Sequence, residues 1–261
     1  MINLWDETPG MCEEIPNITP FIPTEKKSDA AIVIFPGGGY SGRSNREGAG
    51  YAEFLAQNGI TAFVVAYRVK PHTFPLQLLD ARRAVRFVRA HAEEYGINKQ
   101  QVAVMGSSAG GHLAALCSTY TKPIEFEGID DIDAQDFFPN AQILCYPVIC
   151  HPEGNGVAHA GSYMNLLGRN DPVMAKALDP VLNITEATPP AFIWHTARDQ
   201  SVSVLNSYTY AIQLKKNNVS CELHVFPGGP HGLGLAENDP HVAQWPGLLL
   251  NWLKFRKWLT D

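Results

Sequence analysis

The chain has 261 residues, 45% of them hydrophobic and 18% charged, with a formal net charge of −6. That is a globular composition, and an α/β chain of this length is commonly one domain, so residues 1–261 read as a single unit. Acidic and basic side chains are interspersed without a basic stripe, which excludes an electrostatic nucleic-acid binder, and no apolar run approaches the ~20 residues of a membrane span.

The start, MINLWDETPGMCEEIPNITPF, has neither a charged leader nor a continuous apolar core, so no secretory signal is expected. Cys12, Cys117, Cys145, Cys150 and Cys221 are odd in number and unevenly spaced. Three lie in apolar runs, where a free cysteine behaves as a small hydrophobe, and none forms a C-x-x-C pair. A cytoplasmic location fits this usage.

In chain order, the first strong strand signal is AAIVIF (30–35), followed at once by PGGGYSG. A helical pattern at 47–57 leads to a second strand, TAFVVAY (61–67). The clearest helix spans 76–94, where Leu76, Leu79, Ala84, Phe87 and Val88 make one apolar stripe and Gly96 follows as a stop. The strand QVAVM (101–105) then runs into GSSAG (106–110) and a further helix. The stretch IEFEGIDDIDAQDFF (124–138) is acidic with interleaved apolar residues. It reads as a solvated surface insertion, with an active-site flap as the alternative. Strands follow at 141–148, 191–196 and 221–226, with helices at 203–217 and in the C-terminal WPGLLLNWLKFRKWL. The strands are short, nearly continuous apolar runs, as parallel strands covered on both faces are. Alternation throughout predicts an α/β fold with a mostly parallel central sheet and helices on both faces.

The turn GSSAG sits between a strand and a helix, the context a G-x-S-x-G nucleophile elbow requires. Its frame centres on Ser108, with Ser107 as the competing serine. A serine hydroxyl is a weak nucleophile at neutral pH and needs a histidine base, itself oriented by a carboxylate. His231 lies in FPGGPHGLGLA just after the last strand, where open α/β sheets build their sites. His195 and His224 lie inside strands and read as packed or hydrogen-bonded core residues, and His112, just past the elbow, reads as structural. Asp199 follows the strand AFIWHT, and the order Ser108, Asp199, His231 matches the hydrolase order; Asp179 and Glu186 have no strand to position them. Gly37, Gly38 and Gly39 follow the first strand, where backbone N–H groups can turn toward a ligand. The rival phosphate-loop reading fails because neither G-x-G-x-x-G nor G-K-[ST] is present. Gly38, Gly39 and the N–H of Ala109 therefore form the candidate oxyanion hole.

With these residues in hand, the chain resembles the α/β-hydrolase superfamily, and more narrowly the acetyl xylan esterase-like carbohydrate esterases. The resemblance runs through LWDETPG, PGGGYSGRSNREG, DARRAVRFVR, VMGSSAGGHLAA, YPVI, AGSYMNLLG and FPGGPHGLGLA. It implies the α/β-hydrolase fold, with Ser108, Asp199 and His231 as catalytic triad and Gly38, Gly39 and Ala109 at the oxyanion hole. It further implies a serine carboxylesterase that deacetylates sugars or xylo-oligosaccharides through an acyl-enzyme, using no metal and no cofactor. Tyr40, next to the glycine run, is a candidate to stack on a sugar ring. The expected partner is a small-molecule or oligosaccharide ester, with neither nucleic acid nor membrane, and a homo-oligomer is left open. Two departures stand out: Ser203 replaces a proline common after the catalytic acid, and the acidic 124–138 segment could alter the leaving-group side. The alternatives are a feruloyl or general short-chain esterase, a prolyl-oligopeptidase-type peptidase, and a hydrolase-fold protein that only binds.

Overall fold

The structure is a computed structural model that describes residues 1–10, 14–153 and 158–260; Cys12 lies outside the described residues. Its centre is an eight-stranded sheet. Two short strands, β1 (Ile2–Asn3) and β2 (Asn17–Phe21), form an antiparallel edge that joins β4 (Thr61–Ala66). The parallel part contains β3 (Ala31–Phe35), β4, β5 (Val102–Ser107) and β6 (Ala141–Cys145), then β7 (Ala191–Thr196) and β8 (Cys221–Phe226). The order across the sheet is β1-β2-β4-β3-β5-β6-β7-β8.

Helices cover both faces, and β3 shows why its sequence is apolar without interruption. Its side chains alternate between the two faces. Ala31, Val33 and Phe35 enter one core with α2 (Leu76–Ala90), α3 (Ser108–Cys117) and α6 (Leu205–Lys216). Ile32 and Ile34 enter the other, against α1 (Asn45–Gln57) and α7 (Trp245–Phe255). Neither face can be polar, so the period-2 signal disappears into a run of hydrophobes.

The predicted elements stand, with ends that shift by a few residues: α1 starts at Asn45 and β5 runs on to Ser107. The 76–94 helix stops at Ala90, and 91–96 form a turn. The 141–148 strand stops at Cys145 because Tyr146 turns into the left-handed region (φ 37°) and Pro147 has no N–H for a ladder. Beyond the predicted set are the β1–β2 edge and two short helices, α4 (Ala160–Leu167) and α5 (Pro172–Ala177). Proline in β2 argues against a strand, but Pro20 lies past the two residues that β1 covers, on an open edge.

The acidic segment 124–138 is the solvated surface insertion that the sequence predicts, with no wholly buried residue along it, and not a flap over Ser108. It joins the end of α3 to the start of β6, at the sheet edge opposite to Ser108. There it is clasped to α2: Arg82 pairs with Glu127 at 3.0 Å, Arg83 with Asp133 at 2.9 Å, and Arg86 with Glu127 at 3.1 Å. The Arg83 guanidinium also forks onto Asp130, and Arg82 stacks 4.0 Å above the Phe137 ring. The departure therefore lies away from the loop that carries Ser108. Arg83 and Asp133 are each 2% exposed in their side chains, so deleting one leaves the other charged and buried. Arg83→Met should lower unfolding free energy by about 3 kcal/mol in urea titrations; an unchanged midpoint would mean the clasp contributes nothing.

Candidate active site

Four loops meet at the C-terminal ends of β3, β5, β7 and β8. The first is the turn from β5 into α3. Ser108 has φ 53°, a left-handed conformation that only an over-determined setting maintains. The setting is made by two glycines without room for a side chain. A Cβ on Gly106 would meet the Gly110 carbonyl oxygen at 2.0 Å, and one on Gly110 would meet the Phe35 carbonyl oxygen at 2.0 Å. The turn thus presses directly onto β3, and the Ser108 carbonyl is tied down by the Val148 N–H at 3.0 Å. Ser107 points the other way; it is fully buried and donates to the Tyr51 hydroxyl at 3.0 Å.

The loops after β7 and β8 bring a histidine and a carboxylate to Ser108. The Ser108 hydroxyl donates to His231 Nε2 at 2.8 Å, and His231 Nδ1–H donates to Asp199 Oδ2 at 2.6 Å. The second carboxylate oxygen of Asp199 accepts from the N–H groups of Ser201 and Val202, each at 2.9 Å. Burial alone would raise the Asp199 carboxyl, but hydrogen bonds from His195 and His231 and from the Val202 N–H hold it well below the usual carboxylate range. An ionised Asp199 fixes the tautomer that leaves His231 Nε2 free to accept a proton.

His195 is the residue that sequence reasoning left in the core. It is fully buried, but its Nε2 stands 3.3 Å from Asp199 Oδ2 and donates to the Val202 carbonyl at 3.0 Å. Ser207 donates to its Nδ1 at 2.8 Å, which completes a clamp on the Asp199 loop. A histidine within the apolar run AFIWHT was its only trace in the sequence. His151 pairs with Asp179 at 2.6 Å.

The loop after β3 crosses the elbow at contact distance, since a Cβ on Gly37 would lie 3.2 Å from the Ser108 Cβ. Gly38, at φ 142°, turns its carbonyl into a tight turn that accepts from the Ser41 N–H at 3.0 Å. The Gly39 carbonyl accepts from Asn165 Nδ2 on α4 at 2.9 Å. With the carbonyls held outward, the Gly38 and Gly39 N–H groups have no acceptor among the described residues. Ala109, in the first turn of α3, likewise has no intrahelical acceptor for its N–H.

Tyr40 is not a sugar platform. It is 1% exposed, its ring packs edge-on against Tyr67 and His112, and its hydroxyl donates to His112 Nδ1 at 2.7 Å. A left-handed backbone (φ 59°) folds the side chain under the loop instead of over the site. His112 Nε2–H donates to the Leu178 carbonyl at 3.0 Å, so the ring is neutral and anchors loop to helix. Burial pushes its pKa down from 6.5 to about 4, against the opposing hydrogen bond to Leu178 and the charge of Asp179. The unfolded chain therefore takes up a proton that the fold refuses. This contribution to stability is whole above the unfolded value and is lost as pH falls toward the folded one. Thermal unfolding from pH 7 to 4 should show a fall in stability that is shallower in His112→Gln; an equal slope would remove His112 as its source.

Comparison with known proteins points the same way. Residues 20–214 match the BD-FAE family. The chain is similar to endo-1,4-beta-xylanase B of Butyrivibrio fibrisolvens, 32% identical over 94% of this chain and 39% of that protein. It is also similar to an acetylxylan esterase of Xylanibacter ruminicola, 35% identical over 90% of this chain and 47% of that protein. The chain thus spans less than half the length of these two curated relatives. The crystal structure of an acetyl ester-xyloside bifunctional hydrolase from Caldicellulosiruptor lactoaceticus superimposes with a TM-score of 0.92 at 39% identity, covering 100% of this chain and 97% of that one. The fold, the strand-end loops and the matched segment agree: the chain has the α/β-hydrolase fold and belongs to the BD-FAE family.

Proposed function

We propose that the protein is a serine carboxylesterase that removes acetyl groups from acetylated sugars or xylo-oligosaccharides through an acyl-enzyme intermediate. The observation that carries this reading is the hydrogen-bonded chain Ser108–His231–Asp199, with the nucleophile in a strained turn. Ser108 attacks the ester carbonyl while His231 Nε2 takes its proton. The oxyanion meets the N–H groups of Gly38, Gly39 and Ala109, aided by the positive end of α3. His231 then protonates the departing sugar oxygen, and water repeats the sequence to release acetate. The sugar-ester part of the reading draws on similarity to proteins named as an acetylxylan esterase and an acetyl ester-xyloside hydrolase. A reducing compartment, the cytoplasm, suits the four free cysteines among the described residues.

Ser108→Ala should keep the fold and lower kcat/KM on p-nitrophenyl acetate by about a thousandfold or more. Ser107→Ala removes only a buried hydroxyl behind the turn and should stay within about tenfold of the parent. If Ser107→Ala were the inactive variant, the assigned nucleophile would be wrong.

Acyl selectivity is the second test. Ser108 is only 8% exposed, so the acyl group enters a confined space. Each added methylene offers ~0.8 kcal/mol of burial, and only where there is room for it. Acetyl esters should therefore exceed butyryl esters, with octanoyl esters poor, in kcat/KM across the p-nitrophenyl series. A rise with chain length would sink the deacetylase reading in favour of a general acyl esterase.

A further inference from the structure

Residues 44–47, Ser-Asn-Arg-Glu, open α1 with the S-x-x-E pattern of a capping box, yet neither side chain caps the helix. Ser44 makes no side-chain cap bond, and Glu47 turns into the protein, where it is 5% exposed. Its Oε2 accepts from the Gly37 N–H at 3.0 Å, on the loop that carries Gly38 and Gly39. Its Oε1 accepts from the Tyr146 hydroxyl at 2.7 Å.

Tyr146 in turn reaches the His231 loop. Its hydroxyl accepts from the Gly234 N–H at 3.1 Å, and its ring meets the imidazole of His231 edge-on at 5.0 Å. Behind it, Ser107 donates to Tyr51 at 3.0 Å, and the Tyr51 and Tyr146 hydroxyls are 3.1 Å apart. Each hydroxyl has one proton to give. The chain Ser107→Tyr51→Tyr146 therefore needs a terminal acceptor, and the carboxylate is that acceptor. A Cβ placed on Gly232, next to His231, would lie 4.0 Å from Glu47 Oε1, so the carboxylate sits directly beneath the catalytic histidine's loop.

We propose that Glu47 is a positioning residue for the esterase reaction: its carboxylate locks the oxyanion loop to the His231 loop and, as an anion, favours the imidazolium that forms at His231. The inference rests on the reading of Ser108, His231 and Asp199 as the catalytic triad. The groups around Glu47 are few. Arg46 and Tyr51 come from α1, Tyr67 from the end of β4, Cys145 and Tyr146 from the end of β6, and His231 from the loop after β8. Burial raises the Glu47 carboxyl, while the bonds from Tyr146 and Gly37 and the charges of His231 and Arg46 pull it back.

Glu47→Gln preserves the shape and can still accept from Gly37 through its carbonyl oxygen, with the hydroxyl chain reversed. It removes the anion near His231 and pits an NH2 group against Tyr146. On p-nitrophenyl acetate, kcat should fall about tenfold with KM nearly unchanged, because the interaction strengthens only as charge develops. Removing a negative charge makes His231 easier to deprotonate, so the acid limb of the kcat/KM profile should move to lower pH by about half a unit. A parent-like kcat, a loss expressed only as raised KM, or an unmoved acid limb would each overturn the proposal. Should Glu47→Gln fail to fold, Tyr146→Phe cuts the same link while leaving the carboxylate in place. It should lower kcat and leave the acid limb unmoved, and an unchanged kcat would overturn the proposal. Ser108→Ala, assayed in parallel, separates the two readings: if that variant stays active, the triad assignment fails rather than the role of Glu47.

Discussion

A left-handed backbone at a residue other than glycine costs of order 1–3 kcal/mol, and Ser108 holds that conformation where neither Gly106 nor Gly110 has room for a side chain. The crowding is what sustains it. β3 and β5 are neighbours, and the absence of side chains at Gly106 and Gly110 lets the start of α3 sit against the Phe35 carbonyl. Once the turn is fixed, the Ser108 hydroxyl projects from the sheet edge and α3 begins directly behind it. The remaining loops then only have to end near that one point. Relaxing the turn would misplace the hydroxyl, the Ala109 N–H and the helix dipole together, because all three belong to the same few residues.

Around that turn, partners hold two buried titratable side chains in opposite charge states. Asp199 gathers donors from His231, His195 and two backbone amides, which keeps it ionised although burial opposes it. His112 takes the opposite course and is kept neutral by burial between Tyr40 and Leu178. One histidine faces a carboxylate and the other a carbonyl, and this contrast separates a group suited to accept a proton from one that pins a loop.

The parallel strands, the elbow and the two loop residues that meet it were legible in the sequence because the strands are runs of apolar residues and the others come directly after such runs. A strand covered on both faces announces itself, and the loop leaving its C-terminal end lies at the site edge by construction. The edge strands β1 and β2 were not legible, since two and five residues, one of them proline, leave no pattern to count. Tyr40 misled because position beside a glycine run says nothing about which way a left-handed residue turns its side chain. Glu47 looked like any acidic residue at a helix start, and only the closeness of Gly37 in space gives it another use. His195 was hidden for a related reason: its partner is four residues further on, across a strand end that brings the two back together.

The clasp between α2 and the acidic segment has a consequence for how such chains can diverge. The entropic cost of closing a loop rises only logarithmically with its length, by about 0.6 kcal/mol per doubling. Residues 118–140 form such a loop, pinned at several points by arginines that are themselves buried. Insertions between the pins are therefore cheap, and they lie a full strand length from Ser108. The distal edge can lengthen, shorten or acquire a new surface while the geometry of the turn at Ser108 is inherited intact.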